Sequence, residues 1–493
     1  MKRKRKNEKP EFNRENWLQV SLERFKPLLD ASEFDALVDE LQHPLEPSFR
    51  INPLKMKPEG VRQLQERYHW TLQRIPFCTT GYRLMNASLP QELSQTLEHR
   101  MGQYYIQEAA SMLPVELFHM ENSTPELCLD LAASPGGKTT HLVARGGDHS
   151  LVIANDGSAG RIPALQIVLQ NWGAANQMIT RFPGEKFGTW FPETFDRVLI
   201  DAPCSMQGLR TADSHEIRPV TENEISTLAK RQVALLTSAL QAVKIGGEVV
   251  YSTCTVEPAE DEAVIDAVLR QFGSSLEVLP TEISAPGLDS FEGELFQPQV
   301  KRSLRLWPNR FHTAGFFACL IRKTASLNLP VLPPPSRPLE GTGFAPLSQA
   351  AQQNLADELQ STYDFDLNTV LREFNLTVVG FQKRRFAFPE RLMSQFADFP
   401  VQSAGLPIGD ETPEGFIPAH AWISRFWERF KAGKVVIPDE DIAAWLNYED
   451  LPFTGINPGL PQVVILVDAA GRFLGRGRLA GNRIRNLLPR HSR

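Results

Sequence analysis

The stretch CLDLAASPGGKTTHL, residues 128–142, runs from a short apolar segment through a turn of small residues into a helical pattern, and this strand–turn–helix reading decides the fold. Working outward, similar apolar runs recur: SLVIAND (150–156), FDRVLIDA (195–202), GGEVVYST (246–253) and GFFACLIR (315–322). Helical stretches separate some of them, such as ISTLAKRQVALLTSALQAV (225–243) and EDEAVIDAVLRQF (260–272). Strands spaced in this way by helices form βαβ units, so residues 124–323 are expected to build a largely parallel, doubly wound α/β sheet.

The chain has 493 residues, too many for one compact domain, and a prior of about 150 residues per domain predicts about three units. Before the sheet, WLQVSLERFKPLLD, EFDALVDELQ and EGVRQLQERY carry helical periodicity, which predicts an α-rich N-terminal unit over residues 13–100 behind a basic tail at 1–12. The sheet domain is expected over 101–325 and a Pro-rich linker over 326–345. In the remaining region, 346–493, PQVVILVDAAGRFLGRGRLAG reads as a β-hairpin with an arginine-lined strand, and so as part of a β-rich domain.

Composition limits the possible functions. No apolar run reaches the ~18 residues needed to cross a bilayer, and MKRKRKNEKP lacks the apolar core of a secretory signal, so a cytoplasmic protein without a membrane partner is expected. The five cysteines (Cys78, Cys128, Cys204, Cys254, Cys319) are odd in number and form no CxxC pair, so neither a disulfide framework nor a metal site is expected. Net charge is −6, yet Lys2 to Lys6 and Arg472, Arg476, Arg478, Arg483, Arg485, Arg490 and Arg493 concentrate positive charge at the two ends. Such patches, rather than net charge, carry phosphate contacts, although short basic tails also serve solubility alone.

Gly136 and Gly137 let the backbone pass close to a ligand at the start of a helix. The stretch matches neither GxGxxG nor the phosphate loop, where only Lys138 and Thr139 would be in place. About twenty residues on, Asp156 ends the next strand, where a carboxylate accepts hydrogen bonds from ribose hydroxyls. A glycine turn plus an acid indicates a nucleoside cofactor without polyphosphate, and S-adenosylmethionine fits, while the turn taken alone also suits an ordinary strand–helix connection. LIDAPCSMQG (199–208) and YSTCT (251–255) both follow apolar strands, so Asp201, Cys204 and Cys254 are expected to converge in the crevice at the carboxyl ends of the strands. Either cysteine alone would pass for a small buried hydrophobe; together, beside a cofactor turn, they point to covalent chemistry.

LAASPGGKTT, DAPCS, GGEVVYSTCT and GFFACLIRK resemble, in order and spacing, the RNA cytosine-C5 methyltransferases, the NOL1/NOP2/Sun family, over residues 104–323. GLPIGDETPEGFIPAHAW (405–422) and GRGRLAGNRIRNLLPR (475–490) look like the C-terminal, PUA-like portion of its bacterial RsmF-type branch, which acts on 16S ribosomal RNA. The resemblance implies a Rossmann-like methyltransferase domain, S-adenosylmethionine as cofactor, a small-subunit ribosomal RNA partner and a monomer. It implies Cys254 as the nucleophile that adds to cytosine C6, Cys204 as the residue that assists release and Asp201 as the holder of the base edge. It sets the cofactor against Ala132, Ala133, Ser134, Pro135, Gly136, Gly137, Lys138, Asp156, Arg161 and Asp201. Lys138 is further expected to favour a thiolate at Cys254. SFRINPLK (48–55) resembles the family's N-terminal motif, and the flanking domains, with the C-terminal arginines, are expected to grip RNA.

Two positions depart from the family pattern: Pro183 stands where an acid usually helps hold the adenosine, and Met206 where a glycine usually follows DAPCS. Weakened cofactor binding is therefore expected. Transfer RNA as substrate, a DNA cytosine methyltransferase and a non-catalytic RNA-binding protein remain alternatives, the last opposed by retention of both cysteines.

Overall fold

The computed structural model describes residues 22–86, 92–120, 124–209, 220–453 and 459–489. The basic tail with Lys2 to Lys6, and Arg490 and Arg493, lie outside them. Four short strands come first: β1 (Ser48–Ile51), β2 (Leu72–Arg74), β3 (Gly81–Leu84) and β4 (Tyr104–Ile106). The central sheet follows with β5 (Leu127–Asp130), β6 (Leu151–Asn155), β7 (Gln177–Thr180), β8 (Phe195–Asp201), β9 (Val243–Thr253) and β10 (Leu276–Val278). Strands β9, β8, β5, β6 and β7 lie side by side in that order and parallel. The strand Phe316–Lys323 pairs antiparallel with β9, and β10 pairs with it in turn. Strands β5, β6 and β7 are buried along their whole length, and β5 and β6 accordingly are near-continuous apolar runs rather than alternating ones. The carboxyl ends of β5, β6, β8 and β9 carry Asp130, Asn155, Asp201 and Thr253, and the candidate site lies just beyond them.

The N-terminal unit has its expected helices, Ala31–Glu40 and Gly60–Tyr68, and also a four-stranded antiparallel sheet in the order β2-β3-β1-β4, which helical periodicity did not pick out. Strand β4 belongs to that sheet although it lies past residue 100. SFRINPLK lies for the most part between units. Arg50 is fully buried and donates to Gln107 Oε1 (3.2 Å), Gly137 O (3.0 Å) and Thr140 Oγ1 (2.7 Å). Asn52 Nδ2 donates to Gly102 O and Trp172 O, and Lys55 Nζ to Met101 O, Asn171 O and Ser424 Oγ, each at 2.7–2.9 Å. The segment is a staple between units: its polar heads are used to satisfy buried carbonyls, which would otherwise be costly to desolvate.

The linker runs extended across the catalytic domain, with Leu332 N donating to Thr189 O and Gln241 Nε2 to Pro330 O, both at 2.8 Å. Beyond it stand two five-stranded sheets. One runs Phe344–Pro346, Leu376–Phe381, Arg384–Pro389, Leu406–Thr412 and Gly415–Pro418; the other runs Lys434–Val436, Val463–Val467, Phe473–Ala480, Arg483–Asn486 and Leu451–Pro452. Val463–Val467 and Phe473–Ala480 are the two arms of the expected hairpin. A two-residue strand, Ser403–Ala404, leaves this region to pair antiparallel with β7 and so covers the edge of the catalytic sheet. Among the described residues no helix is long and apolar enough to cross a membrane.

Candidate active site

The turn after β5 is positioned from both sides. Leu131 N donates to Leu199 O (3.0 Å) and Ala133 N to Asn155 O (2.8 Å), which fixes the turn between neighbouring strand ends. Gly136 caps the helix Gly137–Arg145 at φ 117°, a backbone region that strains any side-chain-bearing residue. A Cβ on Gly137 would lie 2.9 Å from the Tyr105 ring, so this glycine is required by close packing of the N-terminal unit. Asp156, buried at the end of β6, accepts from Ser158 N (2.9 Å) and Ser134 N (3.3 Å) and pairs with Arg161 Nη1 at 3.5 Å. Arg161 also donates to Ser134 O and so forms the rim of the turn. The donor set suits S-adenosylmethionine: a buried carboxylate for a ribose diol, and a lysine at the second helical position already engaged with Asp201 instead of aimed at a phosphate. Pro135 is exposed on the turn, and Ala132 N donates to Asp130 Oδ1 at 3.3 Å.

Asp201 and Lys138 form an ion pair, Oδ2 to Nζ 2.7 Å, with the aspartate about one-third exposed and the lysine mostly covered. Ser252 Oγ donates to the other oxygen, Oδ1, at 3.1 Å. The Lys138 ammonium lies 5.4 Å from the centre of the Phe316 ring. Burial works against its charge, but the attraction of Asp201 prevails and raises its pKa, with Cys254 adding to the pull. Cys204 and Cys254 meet with Sγ to Sγ 3.2 Å, Cys254 exposed and Cys204 half-buried. Contact with Cys254 and then burial push the Cys204 thiol well up, so Cys204 holds its proton. The two loops are joined behind the thiols, Val256 N donating to Gln207 O (3.3 Å) and Gly315 N to Gly208 O (2.7 Å). Asp201, Lys138, Cys204 and Cys254 thus occupy one crevice.

The two departures from pattern lie at this crevice. Asn155 Oδ1 accepts from Phe182 N and its Nδ2 donates to Phe182 O, both at 2.9 Å, which fixes Pro183 next to the cofactor turn, exposed and with no N–H to donate. Met206 has φ 58°, the left-handed region where a glycine is unstrained, and its side chain is 41% exposed, so it stands out at the mouth of the crevice.

Several groups escaped the sequence reading. Asp130, the last residue of β5, is buried and its carboxyl is raised to about 7, chiefly by burial, although Thr139 Oγ1 donates to it at 2.8 Å. Cys78, Glu116 and His141 come together from three distant segments with ligand atoms within 4.8 Å of one another. Burial lowers His141 to about 4, and Arg145 and Arg50 both lie near Glu116. Arg305, fully buried, joins Glu262 and Asp261 and donates to Val256 O at 2.6 Å, so it braces the loop after Cys254.

The C-terminal arginines divide. Arg472 is partly covered and pairs with Asp468 (2.6 Å) and with Glu98 of the N-terminal unit (3.4 Å). Arg476, Arg478, Arg483 and Arg485 share one face of the last hairpin by the period of two; Arg476 is mostly covered and donates to Pro418 O (2.5 Å), Arg483 approaches Asp450 at 3.7 Å, and Arg478 lies directly opposite the exposed Arg485. Like charges so placed repel one another, a cost that a bound anion removes.

Residues 117–322 match the family described as 16S rRNA methyltransferase RsmB/F, and residues 21–109 match the N-terminal domain of 16S rRNA methyltransferase RsmF. A ribosomal RNA small subunit methyltransferase F of Erwinia tasmaniensis is 31% identical over 478 residues, 95% of each chain. One of Vibrio atlanticus is 31% identical over 94% of this chain and 93% of its own. Among solved structures, a methyltransferase homologue from Pyrococcus horikoshii superposes with a TM-score of 0.54 at 28% identity, over 62% of this chain and 98% of that one. With curated relatives matched along nearly their whole length, the chain belongs to the ribosomal RNA small subunit methyltransferase F family.

Proposed function

We propose that the protein methylates a cytosine at C5 in 16S ribosomal RNA through a covalent cysteine adduct. The observation that carries this reading is the pair of thiols, Sγ to Sγ 3.2 Å, one exposed and one sheltered, beside a carboxylate and an ammonium. The cofactor of this methyltransferase is S-adenosylmethionine, which supplies the methyl group as an electrophile. Every other step falls to side chains.

C5 of cytosine is a poor nucleophile until a thiolate adds to C6, which turns C5–C6 into an enamine-like donor. Cys254, the exposed thiol, makes that C6–S bond as its thiolate, with the Lys138 ammonium in the same crevice. Asp201 has one lone-pair site on each oxygen still free after Lys138 and Ser252, enough to accept from the cytosine N4 amine and from N3–H once N3 has taken a proton from solvent as Cys254 adds, a proton that returns to solvent on release. After methyl transfer a base takes the C5 proton, its bonding electrons re-form the C5–C6 double bond and the C6–S bond breaks. Cys204 assists this release.

The base must leave its stack to reach the crevice, so a loop or otherwise unstacked cytosine is the substrate. The arginine face of the last hairpin, which we read as part of a PUA-like module, binds backbone phosphate. One chain carries the thiols, the cofactor turn and this face, so it works as a monomer, in the cytoplasm where ribosomes are assembled.

Bisulfite sequencing of 16S RNA from cells with and without the gene tests the product: one protected cytosine is expected to disappear on deletion. The thiol roles are tested by trapping. Cys204→Ala is expected to accumulate an enzyme–RNA adduct stable to denaturant, and Cys204→Ala/Cys254→Ala to form none. An adduct that persists without Cys254 reverses the assignment.

A further inference from the structure

Cys204 lies in a loop without regular structure, yet its position is fixed from behind. Gln232, from the helix Glu222–Ala242, donates through Nε2 to Pro203 O at 2.9 Å. Ser205 N donates to Glu260 Oε2 at 2.9 Å, and Gln232 Nε2 donates to that same oxygen at 2.9 Å. The peptide groups on the two sides of Cys204 are thus held by one pair of side chains, both fully buried. Glu260 also belongs to the loop that carries Cys254: Tyr251, three residues before Cys254, donates its hydroxyl to Glu260 O at 2.6 Å.

We propose that Glu260, with Gln232, is a positioning residue for Cys204, setting the distance between the releasing thiol and the attacking one. This inference rests on the release role given to Cys204 above. The clamp joins the two cysteine loops: Glu260, on the loop that carries Cys254, holds the peptide that follows Cys204, so the place of one thiol is tied to the loop of the other. Contact with Cys254 and burial do most to push the Cys204 thiol up, and Glu260 adds to that push from the same clamp.

The prediction is specific to one step. A displaced Cys204 leaves cofactor binding and attack by Cys254 in place and slows release, so the covalent RNA intermediate accumulates. Glu260→Ala, Glu260→Gln and Gln232→Met are to be incubated with S-adenosylmethionine and a 16S RNA fragment, beside wild type and Cys204→Ala. The denaturant-stable adduct is then quantified, and the cofactor Kd of each protein is measured by calorimetry. We expect Glu260→Ala and Gln232→Met to raise the adduct fraction roughly 10-fold or more, the penalty of a misplaced reacting group, with the Kd within about twofold of wild type. Glu260→Gln, which keeps an oxygen acceptor for Ser205 N–H, is expected to fall between wild type and Glu260→Ala. Should Glu260→Ala lose cofactor binding through misfolding, Gln232→Met and Glu260→Gln carry the test. The proposal is overturned if Cys204→Ala traps RNA while the clamp variants that bind cofactor do not. If Cys204→Ala itself traps nothing, the release role fails and the clamp falls with it.

Discussion

Pro183 gives the residue scale its clearest test, because its backbone, φ −58° and ψ 122°, is open to any residue and only its side chain departs from the family pattern. Pro183→Asp restores an acceptor beside the cofactor turn. Calorimetry should show S-adenosylmethionine binding tightened about tenfold, the worth of one charge-assisted hydrogen bond of about 1.5 kcal/mol; an unchanged Kd would show that adenosine does not reach residue 183. Asp130 makes a prediction of opposite character, about pH. Its folded-state pKa of about 7 stands above the unfolded value near 3.9, so the folded state binds the extra proton between those limits. Stability from this group is fully present below about pH 4 and is lost as pH rises through about 7. Asp130→Asn removes that dependence, so its Tm relative to wild type should climb between pH 5 and pH 8. A difference that does not move with pH would mean that the carboxyl is ionised throughout.

At the scale of elements, the last hairpin places Arg478 against Arg485 across the strand pair, and its function is read in salt. If each neutralises one RNA phosphate, Arg478→Ala and Arg485→Ala should each flatten the slope of log K against log salt by about 0.7–0.9, whatever the RNA sequence. A fall in affinity with no change of slope would assign them to packing. Legibility followed burial at this scale. Strands β5, β6, β8 and β9 could be read because they are fully or mostly buried and apolar, and Asp201, Cys204 and Cys254 because they stand at strand ends. Strands β1 and β3 could not be read: SFRI and GYRL are four residues long and carry arginines at buried positions, against every rule of apolar patterning. Gln232 and Glu260 look like the solvated face of a helix and an acidic loop, and only the fold shows that both sit behind Cys204. Arg305, Asp261 and Glu262 were hidden in the same way, as charges whose burial depends on one another across more than forty residues.

Across the whole molecule, the three units meet at one knot. Lys55 of the N-terminal unit reaches Asn171 of the catalytic domain and Ser424 of the C-terminal region, and Arg425 donates to Leu54 O at 2.6 Å while approaching Asp148 at 3.9 Å. Burial holds the Lys55 ammonium well below its ordinary pKa, a strain accepted where three chain segments must close on one another. The N-terminal unit also touches the cofactor turn directly, through Arg50 on Gly137 O. The strand Ser403–Ala404 ties the catalytic sheet to the C-terminal region in the same spirit and sets a timetable for synthesis. β7 leaves the ribosome roughly 220 residues ahead of its cover, which at about 5–20 residues per second is about ten to forty seconds of bare edge. A nascent chain stalled after Cys254 has been made and before Ser403 has followed it carries both cysteines and an open β-edge at once, so a message broken within that window yields a product prone to stick to its neighbours on the polysome.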